Sequence, residues 1–182
     1  LTDNGIFVFE DPSLLKMLER VSYDQIYDEH AHVFSVTALQ NLLNRNGLEI
    51  FRVENLVVHG GSNRIYACKQ KTREIENSVL ENLSLEQEYG IQELATYEKF
   101  AKEVVASKDA LIGLLTDMKN EGRKVVSYGA TSKSTTVFNY CGIGPDLIDY
   151  IVDTTEAKQG KLSPGMHIPV VPPQSGFDDT VD

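Results

Sequence analysis

Cysteine is scarce in this chain, basic charge is outweighed and long apolar runs are missing; each shortage removes a class of function. The cysteines are Cys68 and Cys141, too few and too far apart for a metal-ligand pattern. Each sits among apolar neighbours, which reads as a pair of buried thiols in a reducing compartment. Lys and Arg number 17 against 27 Asp and Glu, a formal net charge of -10. Duplex nucleic acid and anionic membranes both call for basic surfaces, so neither is an expected partner, and an anionic ligand must be held by local groups. No stretch approaches the roughly 18 apolar residues of a membrane span. No basic-then-apolar signal peptide opens the chain, and the cytoplasm is the expected compartment.

What the chain does contain is ample core material: 41% of its 182 residues are apolar, enough for one domain or two small ones. It opens on Leu1 and enters a strand almost at once, while Pro172-Pro173-Gln174 leads into an acidic tail. The expectation is a portion of a longer protein.

The apolar spacing divides the chain into three parts, all within an α/β class. From Leu1 to Lys71 it reads strand, helix, helix, strand, strand. Ile6 to Phe9 is the first strand, and a helix starts at Pro12 with Asp11 or Ser13 as cap. Ser35 precedes a helical run from Val36 to Leu43 that stops at Asn46-Gly47, a left-handed termination signal. Strands follow over Leu48 to Val58 and Ser62 to Lys69. From Ile75 to Glu121 the pattern is helical, broken at Gly90, and Leu94, Tyr97, Ala101, Val104, Leu111, Leu115 and Met118 form a stripe read as a packing face.

The third part sets a strand, Lys124 to Tyr128, before the small-residue stretch Gly129-Ala130-Thr131-Ser132-Lys133-Ser134, with an apolar helix start at Val137-Phe138. A strand running into such a turn and a helix N-terminus presents N–H groups and a positive dipole end, which suits phosphate, and Lys133 adds a point charge. The stretch lacks both the G-x-G-x-x-G spacing and the Walker A glycines, which disfavours ordinary NAD or ATP chemistry. The next strand, from Ile148, ends in Asp153, 24 residues after Gly129, where an acid can accept from a ribose. The alternative is a plain α/β turn with a solvated acid. Lys158 and Lys161 follow in a glycine- and proline-dotted segment, read equally as anion contacts or loop charges.

The densest chemistry is Gln25-Ile26-Tyr27-Asp28-Glu29-His30, followed by His59-Gly60-Gly61-Ser62. A phenol, two carboxylates and an imidazole within four positions suit proton abstraction beside a carbonyl, which needs a base near neutral pH and groups to orient it. The competing reading is a polar surface turn. His32, two residues after His30, invites a metal reading with His59 and Glu29, but a proton-abstracting imidazole cannot also bind metal through its reactive nitrogen, and no second ligand pair of tight spacing supports a site. No metal site is expected.

The ordered blocks GIFVFEDP, SYDQIYDEH, HGGSNR, SYGATSK, NYCGIGPDLIDYIVD and KQGKLSPGMHIPVVPP resemble the S-adenosylmethionine-dependent C-methyltransferases that act on nucleotide-linked ketodeoxysugars. The resemblance is to the later portion of that family. It implies the second half of a class I methyltransferase sheet over 1–74, a helical connector over 75–121 and an incomplete Rossmann-like domain over 122–182. It further implies that the glycine-rich S-adenosylmethionine loop and a zinc-binding segment belong to an amino-terminal region outside this sequence, so that the isolated chain is inactive. By resemblance, His30 takes the proton alpha to the ketone, Glu29 orients the imidazole and Tyr27 hydrogen-bonds the substrate. His59, Gly60 and Gly61 approach the sugar, and Ser132, Lys133, Asp153 and Lys158 serve the nucleotide diphosphate. The alternative is a Rossmann-like nucleotide-binding module without catalysis. The oligomeric state stays open.

Overall fold

The computed structural model describes residues 1–176; the acidic tail beyond them lies outside the described residues. The chain forms two compact units, one of Leu1–Gln25 with His30–Lys102 and one of Ile26–Glu29 with the chain from Glu103 on.

In the first unit, β1 (Ile6–Pro12), β2 (Leu48–Leu56) and β3 (Ser62–Lys69) form a sheet of order β1-β3-β2, with β3 antiparallel to both neighbours. β1 and β2 therefore run the same way, joined through α1 (Leu14–Arg20) and α2 (Val36–Arg45), and the last strand inserts between them. This is the α/β arrangement that the resemblance implies for the end of a methyltransferase sheet. The register places Phe9 and Val53 opposite Ile65. Val36, Leu39 and Leu43, at helical steps on α2, pack with Ile50, Val53, Ile65, Ala67 and Val79 into the main core. Val79 comes from α3 (Asn77–Tyr89).

The helix ends follow the expected chemistry. Ser13 accepts from the Lys16 N–H and Ser35 from the Ala38 N–H, each as an N-cap. Gly47 carries the left-handed conformation after α2, at φ 73°, and Gly90 does so after α3, at φ 80°. Beyond Gly90 runs α4 (Leu94–Asn120). Its stripe is only partly a packing face: Val104 and Leu115 are buried, whereas Leu94 and Tyr97 are exposed. The helix serves the first unit up to Lys102 and the second from Glu103, so no single core follows its whole length. Tyr97 is used through its hydroxyl, which donates to the Ile91 carbonyl at 2.7 Å.

The second unit holds a parallel sheet of order β4-β5-β6, made of β4 (Ser127–Tyr128), β5 (Ile151–Val152) and β6 (Val170–Val171). Parallel strands with a helix after the first match the Rossmann-like expectation. The strands are shorter than the sequence suggests, and the helix is longer: α5 (Ser132–Cys141) starts five residues before Val137. A reciprocal capping box explains the early start, with the Thr131 hydroxyl taking the Ser134 N–H and the Ser134 hydroxyl taking the Thr131 N–H. Phe138, Cys141, Ile143, Ile148, Ile151, Val152, Ile168 and Val170 are buried and form this unit's interior. Cys68 and Cys141 are both buried thiols, as expected.

Candidate active site

The first unit gathers three segments around the end of β1. A 3-10 turn over Tyr23–Gln25 follows α1, the loop His59-Gly60-Gly61 joins β2 to β3, and His30 lies a few residues on. The loop is wound tightly, with positive φ at His59, Gly60 and Gly61 of 53°, 82° and 127°. Its carbonyls are each met by a donor. Gln25 Nε2 donates to His59 O, Arg20 Nη1 to Gly60 O and the Ser13 N–H to Gly61 O. Gly61 is required by packing as well as by φ, since a Cβ there would come within 2.7 Å of Lys16 Cγ. The glycines thus let the backbone approach α1.

His30 is half-buried, and its Nδ1 lies 3.0 Å from the Gln25 carbonyl oxygen. A carbonyl only accepts, so Nδ1 carries the hydrogen, and in the neutral ring Nε2 is the basic nitrogen. Glu29 is exposed, and Nδ1 donates to the Gln25 carbonyl. One carboxylate that senses the imidazole is Asp11, at the end of β1. Burial pushes its carboxyl above the usual carboxylate range, and the positive charge of His30 pulls it partly back. Asp11 and Gln25 are functional candidates that the sequence reading did not single out. The acids closing the first strand were the available signal for Asp11; none in the sequence marks Gln25 as buried.

The second unit carries a cleft of about 640 Å³ whose wall includes Tyr27, Asp28, Ala130, Ser132, Lys158 and Lys161. The Ile26–Glu29 segment is tied in by the Thr136 hydroxyl, 3.4 Å from the Ile26 carbonyl. Ser132 is the first residue of α5, so the dipole end of a ten-residue helix opens on the cleft. Lys133 is half-buried and not among the lining residues. Asp153 lies beneath this turn rather than on its surface. Its carboxylate accepts from the Ala130 and Thr155 N–H groups, both at 2.7 Å, and from Lys158 Nζ at 3.4 Å. Those bonds, that of Thr155 first, hold its carboxyl down to about 2. Lys158 Nζ also donates to the Ala130 carbonyl at 2.7 Å. Tyr27, Ser132 and Lys158 are therefore brought to one cleft, Asp153 supports it from below, and Lys161 joins the cation set.

Elsewhere, His32 packs its ring near Phe34, with centroids 5.8 Å apart. Among the described residues, no three His, Cys, Asp or Glu side chains gather closely enough to hold a metal ion, and no helix is long and apolar enough to cross a membrane.

Residues 57–182 match the family model of the C-methyltransferase C-terminal domain. The whole chain aligns at 34% identity with C-methyltransferase NovU of Streptomyces niveus, spanning 44% of that protein's length. With an α/β first unit, a parallel sheet in the second and a match over most of its residues, the chain belongs to the C-methyltransferases and carries their C-terminal domain.

Proposed function

We propose that the chain forms part of a C-methyltransferase that methylates the carbon alpha to the ketone of a nucleotide-linked deoxysugar, with His30 as general base. The observation that carries this reading is the Gln25 carbonyl on Nδ1, which makes Nε2 the basic nitrogen of the neutral ring. Removing a proton beside a ketone produces an enolate, whose nucleophilic carbon then accepts the methyl group. Glu29 and Tyr27 flank the base in sequence. Tyr27 acts as hydrogen-bond partner to the sugar, and Glu29 supports the charge that builds on the ring.

The donor implied by the family is S-adenosylmethionine, which when bound would supply an electrophilic methyl group, its S–CH3 bond breaking to leave the neutral thioether. β1 passes through Ser13 directly into α1, without a glycine between them, and the resemblance assigns the donor's glycine-rich loop to a separate amino-terminal region. The chemistry assigned to this chain is proton removal and substrate holding.

In the second unit, the α5 N-terminus at Ser132 together with Lys158 and Lys161 suits the diphosphate, and Leu162 and Pro164 give the cleft an apolar side for a base or sugar face. Lys133 reinforces the positive end of the helix. Asp153 acts through Ala130 and Lys158, which it holds in place. The His59-Gly60-Gly61 loop sets the backbone beside the base. A small-molecule reaction of this kind fits the cytoplasm.

The deciding experiment replaces His30 with Ala in the full-length protein and follows both methyl transfer and deuterium exchange at the alpha carbon. Loss of both, by on the order of 10²- to 10⁴-fold, is expected; retained exchange would remove His30 from the mechanism.

A further inference from the structure

We propose that Gln25 is the positioning residue of the base: its side chain ties the strained His59–Gly61 loop to the very carbonyl that sets the tautomer of His30. This rests on the reading of His30 as the base.

The geometry runs through one residue. Gln25 is 3% exposed, its backbone carbonyl receives His30 Nδ1 at 3.0 Å and its amide nitrogen donates to His59 O. The amide has only one sensible orientation, because reversing it would set its oxygen against the His59 carbonyl oxygen. In that orientation Oε1 is buried with no hydrogen-bond partner.

That orphan oxygen separates a positioning role from a stabilising one. A buried acceptor left unsatisfied works against folding, and an apolar side chain of similar shape would relieve it. Glutamine at this position therefore costs stability while supplying one donor, and that donor goes to a loop carbonyl two residues from the paired Gly61 O. His59 is a non-glycine residue at φ 53°, a conformation that persists where the surroundings enforce it. Without the amide, the loop and the 3-10 turn over Tyr23–Gln25 lose this side-chain tie, and the carbonyl that faces the imidazole loses its fixed direction. Two charges stand close by: Asp11, which interacts with His30, and Arg20, which holds Gly60 O.

The test is long-range ¹H–¹⁵N NMR of the imidazoles in the full chain, comparing wild type with Gln25→Leu and Gln25→Glu. Wild-type His30, when neutral, is expected as a single Nδ1–H tautomer. Both variants should show a mixture, since leucine removes the donor and glutamate replaces it with an acceptor. The Leu variant should melt no lower than wild type. In methyl transfer by the full-length protein, kcat should fall about tenfold or more with KM unchanged. An Nε2–H tautomer in the wild type overturns the proposal without any variant, and so does a pure Nδ1–H tautomer in Gln25→Leu or Gln25→Glu. If the wild-type protein transfers no methyl group, the functional reading fails separately, and the tautomer measurement still decides the role of Gln25.

Discussion

Among the described residues each unit buries one carboxylate and uses it to hold backbone N–H groups, yet the two serve different ends. In the first unit Glu86, 1% exposed, caps α2: it accepts from the Val36 N–H at 2.6 Å, and from the Thr37 N–H and hydroxyl at 2.8 and 2.6 Å. With Ser35 Oγ taking the Ala38 N–H, the first donors of that helix are all satisfied. In the second unit Asp153 holds the Ala130 and Thr155 N–H groups and also Lys158. Glu86 has only neutral donors around it and belongs to the fold. Asp153 adds a cation that lines the cleft, so the same device there shapes a binding surface.

The comparison can be broken by substitution. Glu86→Gln should give the largest effect, because glutamine keeps one acceptor and turns the other into a donor facing Thr37. A loss of about 2–3 kcal/mol in urea unfolding of the first unit is expected, with nucleotide affinity of the second unchanged. Asp153→Asn should cost the second unit less, on the order of 1–2 kcal/mol. It should also change the acid response. The folded carboxyl titrates at about 2, below its ordinary 3.8, so its contribution is complete above roughly pH 4 and fades as pH falls toward 2. Circular dichroism during acid titration should show a flatter profile for the variant. The smallest effect is expected for Lys161→Met, at the exposed rim: nucleoside diphosphate binding should weaken by up to about tenfold, and less so at high salt. Calorimetry that finds Glu86→Gln more damaging to binding than Lys161→Met would collapse the distinction.

Much of this architecture was readable in advance, for physical reasons that mark its edges. The strands of the first unit are long, β-branched or aromatic, and their helices carry Ser caps and glycine stops, so local chemistry and tertiary packing agree. Disagreement begins where tertiary context decides. The run from Ser132 to Thr136 is rich in hydroxyl residues that suit turns as well as helices; only the reciprocal Thr131–Ser134 bonds make it helical. Leu94 and Tyr97 follow helical spacing but face no core, since spacing shows which residues share a face and not what lies opposite. At the sites, Tyr27, Ser132 and Lys158 were named and do share a cleft. Asp153 was named for a surface task and lies within the turn, because its three partners come from Ala130, Thr155 and Lys158, each at a different distance along the chain. Gln25 was not separable from its polar neighbours, since burial of a glutamine depends on contacts 34 residues away.

The two thiols make a ready pair of internal clocks. Cys68 is wholly shielded in the first unit and Cys141 is 5% exposed in the second, so an alkylating reagent reaches each mainly when its own unit opens. Labelling rates at the two positions therefore time the breathing of each half separately, on the unmodified protein and without an added probe.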